Sequence, residues 1–239
     1  MLIQKKIFNI YIYCMKKICL CITNYHKEEF LERSIRSCIS QIPYDVLIEV
    51  IVVNDGSKKF NKKKIQNEFP QVKILDLVKN KGVAFASNKA INFSNADYFM
   101  RVDADDYLSI KSSMILSQIL DENPDISFAY GDILKIKLDN RHSKIKRNNR
   151  KTLFEHGAGI MFRLNQLKKI KGYDTSLKNC EDFDLLIRLE KKFGKGFYLP
   201  ILLYRYYKTH SAHLTSSKNR KFYKFKLERK YEKYLSKNS

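Results

Sequence analysis

The chain has 239 residues, 44% hydrophobic and 13% aromatic, with 46 Lys and Arg against 25 Asp and Glu for a net charge of +21. That hydrophobic content can bury a real core and excludes a disordered chain, and the length suits one domain with a C-terminal extension or two small domains. The lysines are scattered along the whole chain with much Asn and Ile, so the charge favours anionic partners without identifying one.

Residues 1–15 read as an N-terminal extension. Lys5-Lys6 and the apolar run Ile7 to Met15 faintly resemble a signal peptide. The run is too short to span a bilayer, Lys16-Lys17 stop it, and no small-residue cleavage site follows. Met15 is the expected true start. Lys17 to Thr23 predicts a buried strand, with Cys19 and Cys21 facing one side. Glu28 to Gln41 has helical periodicity, with Phe30, Leu31, Ile35, Cys38 and Ile39 on one face, closed by Pro43. Val46 to Val53 is a β-branched strand running into the turn Asn54-Asp55-Gly56-Ser57.

A lysine-rich helix, a strand at Val72 to Leu77, a helix at Gly82 to Phe93 and a strand at Tyr98 to Val102 follow. Asp103-Ala104-Asp105-Asp106 ends that strand, and Ile110 to Leu120 reads as a helix. Short connections between alternating strands and helices imply an α/β fold, a mostly parallel twisted sheet with helices on both faces. From Ile126 the order changes. Strands at Ser127 to Leu138 and Gly159 to Arg163 bracket a basic loop, Asn140 to Lys151. A helix at Cys180 to Lys192 and a strand at Gly196 to Tyr204 complete the domain. The tail, 218–239, reads as a basic helix with Tyr223, Leu227, Tyr231 and Tyr234 on one stripe. The five cysteines show no repeating spacing, so neither a disulfide framework nor a zinc site is expected, and a reducing, cytoplasmic compartment is.

Asp55 and the cluster Asp103, Asp105 and Asp106 directly follow parallel strands, where ligands bind in open α/β sheets. Two acidic clusters converging there repel unless a cation lies between them, and a hard divalent ion with phosphate oxygens meets that need. Taken singly, a tight turn at Asn54 to Ser57 and a helix N-cap at Asp105-Asp106 explain these residues as well; their equivalent places favour a site.

Thr23-Asn24-Tyr25, Val52-Val53-Asn54-Asp55-Gly56-Ser57 and Val102-Asp103-Ala104-Asp105-Asp106 together resemble the family 2 glycosyltransferases of the GT-A fold. Asn80-Lys81-Gly82 with Ala86-Ser87-Asn88, then Gly172-Tyr173-Asp174 with Glu181-Asp182-Phe183-Asp184-Leu185, and Tyr204-Arg205-Tyr206 through His210 extend the resemblance over roughly residues 16 to 217. It implies a GT-A domain at 16–217, with a nucleotide-binding half at 16–106 and an acceptor half at 107–217, that transfers a sugar with inversion from a nucleotide-diphosphate donor, usually a UDP-sugar.

By the same resemblance Thr23 and Tyr25 would line the base, Asp55 would hydrogen-bond it, and Asp103 would contact ribose or metal. Asp105 would hold Mn²⁺ or Mg²⁺ on the diphosphate, and His210 would reach the metal or diphosphate. Asp182 would be the catalytic base, with Glu181 beside it. The family often has Asp at position 54 and Arg at position 87. Ser87 therefore leaves one phosphate contact to Lys89 or to an arginine of the basic loop.

On residue type alone, Glu181, Asp182 and Asp184 better suit an ordinary helix N-terminus, a reading that the resemblance reverses, and His210 equally suits a polar loop. His26, His142, His156 and His213 read as surface or local hydrogen-bonding residues. Gly157 and Gly159 let the backbone approach an acceptor, or simply bend a strand. The acceptor implied is a glycan or lipid-linked hydroxyl in surface polysaccharide synthesis. The tail either packs its tyrosines on the domain or attaches to an anionic membrane surface at the inner face. Three rivals rank lower. A sugar-phosphate nucleotidyltransferase would carry a glycine-rich loop after the first strand, where Thr23 to Lys27 has no glycine. A glycosidase gives no reason for a nucleotide-type sheet. A basic nucleic-acid-binding protein would show a recognised motif, so no nucleic acid is expected.

Overall fold

The structure is a computed structural model and describes residues 15–43, 45–137, 144–146, 157–208 and 218–238. In chain order its elements are β1 (Lys16–Asn24), α1 (Glu28–Ile39), β2 (Val46–Asn54), α2 (Lys62–Glu68), β3 (Lys73–Asp76), α3 (Val83–Phe93), β4 (Tyr98–Asp103), β5 (Tyr107–Leu108), α4 (Ser112–Glu122), β6 (Phe128–Lys137), β7 (Lys144–Lys146), β8 (Met161–Arg163), α5 (Leu164–Lys169), α6 (Glu181–Phe193), β9 (Phe197–Lys208), α7 (Lys218–Lys230) and α8 (Glu232–Asn238).

Strand alternation builds two cores. Ile18, Leu20 and Ile22 of β1 turn to one face and meet Leu31, Ile35 and Cys38 of α1, Ile65 of α2 and Leu116 and Leu120 of α4. Cys19 and Cys21 turn to the other face and meet Ala84, Ala86 and Ala90 of α3, Leu164 and Leu167 of α5, and Leu185, Leu186 and Leu189 of α6. Both cysteines therefore share one side, as their spacing requires. Burial pushes the Cys19 thiol up to about 12, so it behaves as a small apolar group. Glu28 and Glu29 in the first turn of α1 and Arg36 in its last complement the helix dipole.

The sheet order is β3-β2-β1-β4-β8-β6-β9-β5, with β7 on the side of β6. β3, β2, β1 and β4 are parallel. β8 runs antiparallel to both β4 and β6, and β9 returns parallel to β6. The sheet is thus parallel in the half that carries the motifs and mixed beyond it.

Several local expectations change. Gly159 is not part of a strand: its φ of +76° breaks extended backbone, and β8 begins at Met161. Within the basic stretch expected to be a loop, Lys144–Lys146 is a short strand paired with Ile133 to Lys135 of β6. α5 is too short to leave a periodic signal. The tail divides into α7 and α8 around Tyr231. Phe183 and Ile187 of α6 bury Leu227 and Tyr231, and Tyr234 and Leu235 pack against them. Among the described residues no helix is long and apolar enough to cross a membrane.

Candidate active site

The chain steps outward from β1 through β2 to β3, then crosses to β4 on the far side of β1. That reversal opens a crevice at the carboxyl ends of β1 and β4, the place where open α/β sheets take ligands. Thr23 of β1 lies in register with Val53 of β2 on one side and Asp103 of β4 on the other; Asn24 pairs with Asn54, and Asn54 with Asp76. Thr23, Asp55 and Asp103 therefore end three adjacent strands, spread over about 10 Å at the usual strand spacing. Tyr25 projects beyond them, 46% exposed, with its ring centroid 4.2 Å from that of His26.

Asp55 is 3% exposed. Its carboxylate accepts from Asn80 Nδ2 at 2.8 Å, Lys81 N at 2.8 Å and Gly82 N at 2.9 Å, just ahead of α3. Burial nevertheless raises its pKa, against those backbone donors. Gly56, at φ +75°, lets the two turns interlock: a Cβ there would lie 2.4 Å from backbone atoms of Lys79 and Asn80. The motifs around Asp55 and Asn80 are thus two halves of one structure.

Asn54 donates to Asp76 Oδ1 at 2.7 Å and accepts from Ser57 N at 3.1 Å. An aspartate at 54 would face the Asp76 carboxylate, which gives the departure from the family residue a local reason. Below it, Glu28 accepts from the Ser57 hydroxyl and from Asn24 Nδ2, a network that the motifs did not announce.

After β4 the acidic residues separate by role. Asp106 is wholly buried and accepts from the Tyr204 hydroxyl at 2.7 Å and Tyr207 N at 2.8 Å, anchoring β9. Asp103 and Asp105 remain partly exposed. Asp105 forms an ion pair with Lys27 at 3.0 Å, yet burial and the charge of Asp103 raise its pKa. Arg33 donates to the Asp105 carbonyl at 2.6 Å, with its guanidinium 4.7 Å from the Tyr107 ring centroid and 4.2 Å from that of Tyr207. Among the described residues no group of three or more His, Cys, Asp or Glu side chains stands ready to hold an ion. Asp103 and Asp105 still fit a hard divalent cation, being mutually repelling oxygen donors two positions apart. His210, expected at the metal, lies outside the described residues.

Glu181 and Asp182 open α6, preceded by Cys180 at φ +61°, a left-handed position unusual for a cysteine. Both are half-buried and reach the underside of β4. Asp182 receives both arms of the Arg101 guanidinium, Nη1 to Oδ1 at 3.0 Å and Nη2 to Oδ2 at 3.2 Å. Glu181 Oε1 lies 3.8 Å from Nη1. Burial and the Asp182 charge push the Glu181 carboxyl up to about 7, with Arg101 opposing. Gly157 packs directly on Asp182, since a Cβ there would sit 2.0 Å from Cγ. Gly159 packs on the Tyr204 ring and donates to the Arg101 carbonyl at 3.0 Å.

Arg101 was not singled out by the motifs. Its signal was a charge within an otherwise apolar strand, Tyr98 to Val102. Ser87 is fully buried and its hydroxyl has no hydrogen-bond partner among the described residues, while Lys89 is exposed on α3. The arginines of the basic loop lie outside the described residues.

Residues 19–180 match the family described as glycosyl transferase family 2. The chain is 34% identical over 99 residues to a teichoic acid poly(glycerol phosphate) polymerase of Staphylococcus epidermidis, covering 40% of this chain and 14% of that protein. It is 23% identical over 197 residues to a chondroitin synthase of Pasteurella multocida, covering 78% of this chain and 20% of that one. Among solved structures, S. aureus TarS 1–349 in complex with UDP-GlcNAc aligns with a TM-score of 0.68 at 19% identity, over 84% of this chain and 61% of that chain. At that identity the likeness is one of fold. The chain spans less than two thirds of the length of each of these relatives.

Proposed function

We propose, from the premise that the chain belongs to glycosyl transferase family 2, that it moves a sugar with inversion from a UDP-sugar to a hydroxyl of a growing surface glycan or a lipid-linked acceptor. The observation that carries this reading is the meeting of two sets of groups on β4. Asp103 closes the crevice at the strand's end, and Arg101, two residues earlier on the same face, holds Asp182. The TarS complexes with UDP and UDP-GlcNAc support the donor class. The polymer-forming relatives support a glycan acceptor.

In this reading Thr23 and Tyr25 flank the base, Asp55 hydrogen-bonds it from the turn that it shares with Asn80, and Asp103 faces the ribose. Asp103 and Asp105 would hold Mn²⁺ or Mg²⁺, which when bound would neutralise charge building on the leaving diphosphate. Asp182 accepts the acceptor hydroxyl's proton while that oxygen bonds the anomeric carbon. The bond from that carbon to the diphosphate breaks, and its electron pair leaves with UDP. Each Asp182 oxygen spends one lone pair on Arg101 and retains another for this proton. Gly157 keeps the backbone low over Asp182, which leaves room for an acceptor.

The test is Asp182→Asn. Transfer should fall by at least ~10²-fold, the usual worth of a positioned base, while UDP binding stays at the wild-type level. Full transfer by this variant would remove Asp182 from the mechanism.

We further propose a cytoplasmic enzyme that meets an anionic membrane at its inner face through α7. Phe222 and Phe225 are 64% and 59% exposed, and Lys221, Lys224, Lys226 and Arg229 surround them. Aromatics flanked by exposed cations suit an anionic interface.

A further inference from the structure

We propose that Arg101 is a positioning residue for the reaction: its guanidinium clamps the Asp182 carboxylate at two points. The proposal rests on the reading of Asp182 as the proton acceptor.

Strand alternation turns Phe99, Arg101 and Asp103 to one side of β4, the side that α6 covers. Arg101 is 3% exposed. A buried guanidinium is unfavourable unless paired with good geometry, and an apolar side chain would pack this strand as Phe99 does. The fold does not need the charge to hold α6 in place. Leu185, Leu186 and Leu189 already seat that helix on the sheet, and Phe183 and Ile187 seat it on the tail.

What the guanidinium adds is direction. Two parallel N–H···O contacts fix both the position and the plane of a carboxylate, which a lysine ammonium does not do. Gly157 packs closely on Asp182, where any side chain would displace the carboxylate from this hold, so the glycine and the guanidinium together set its place. Nε lies 3.2 Å from Asp103 Oδ1 but makes no aligned hydrogen bond. Its hold on Asp103 is therefore one of charge, and Asp103 keeps its lone pairs for the donor. One cation faces three carboxylates, Asp103, Glu181 and Asp182, and lies nearer Asp182 than Glu181. Glu181 is the more loosely held of the two, and its carboxyl is pushed up to about 7, first by burial and then by the Asp182 charge. The Tyr173 ring, 5.8 Å from the guanidinium, completes the enclosure.

The experiment compares wild type, Arg101→Met and Arg101→Lys for kcat and donor KM, with UDP-induced thermal shift as an independent measure of donor binding. Arg101→Met should lower kcat by at least ~10²-fold, the scale of a misplaced catalytic group, with donor KM within about threefold of wild type. Arg101→Lys restores the charge without the fork and should give an intermediate kcat at the same donor KM. If Arg101→Met does not fold, Arg101→Lys decides. A reduced kcat with unchanged KM supports the proposal, and a wild-type kcat overturns it. Parallel loss of kcat and UDP binding would also overturn it, because it would mark a general structural role. A wild-type protein inactive with every nucleotide sugar would instead overturn the proposed function, and this inference with it.

Discussion

Glu181 and Asp182 occupy consecutive positions at the start of α6, so their carboxyls share one guanidinium. The outcome has a measurable sign. Glu181 is raised from an ordinary 4.5 to about 7, first by burial and then by the Asp182 charge. Between those two values the folded chain keeps a proton that the unfolded chain has released. Stability therefore falls as pH rises through that window, and the deficit stays constant above it. Glu181→Gln cannot ionise and removes the deficit. Its melting temperature should match wild type near pH 4, gain progressively to about pH 7 and then hold level, a gain of at most about 3 kcal/mol. A difference independent of pH would contradict the assignment. The acidic residues were legible in sequence because each follows a strand or opens a helix. Arg101 was not, because its meaning lies in Asp182, 81 positions away, and a strand pattern supplies a face but no partner.

Elements at the site work in pairs. The turn after β2 and the loop before α3 close on each other through Asp55 and Gly56, so motifs 25 residues apart in sequence act as one. The tail shows the same dependence. The spacing of Leu227 and Tyr231 announced a stripe without its partner, and the structure supplies the seat: Phe183, Ile187 and the carboxylate of Asp184. Asp184 accepts from Tyr231 Oη at 2.5 Å and Arg188 Nε at 2.6 Å, and forms an ion pair with Lys230 at 3.0 Å. Burial pushes its carboxyl up, but the Tyr231 hydroxyl and the Arg188 charge outweigh it and hold the carboxyl below its ordinary range. Tyr231 and Tyr234 thus pack on α6, while Phe222 and Phe225 face outward and are the residues that the proposed membrane contact would use. Full-length protein should co-sediment with phosphatidylglycerol vesicles and not with phosphatidylcholine vesicles. The double variant Phe222→Ser/Phe225→Ser should lose at least about tenfold in affinity, the worth of burying one aromatic side chain. Equal binding by the double variant would remove α7 from membrane contact.

For the molecule as a whole, the parallel half was readable from β-branched runs separated by helices, since each βαβ unit is nearly local. The second half was less so. β8 reaches across to pair with both β4 and β6, and β9 returns beside β6, pairings that carry no signature within the strands themselves. The left-handed Gly159 and the brief α5 are similarly invisible to periodicity. The assembled sheet places Thr23, Asp55 and Asp103 at one edge and Asp182 against the same central strand, and the account stands on that convergence forming a metal-assisted nucleotide-sugar site. The most direct measurement is thermal unfolding of wild type and Asp105→Ala with a panel of nucleotide sugars, with and without Mn²⁺. A UDP-sugar with Mn²⁺ should raise the wild-type melting temperature by several degrees, as about 2.7 kcal/mol at a hundredfold excess over Kd implies. The shift should shrink without metal and disappear in Asp105→Ala. No shift with any nucleotide-diphosphate sugar, or an equal metal-dependent shift in Asp105→Ala, would contradict the account.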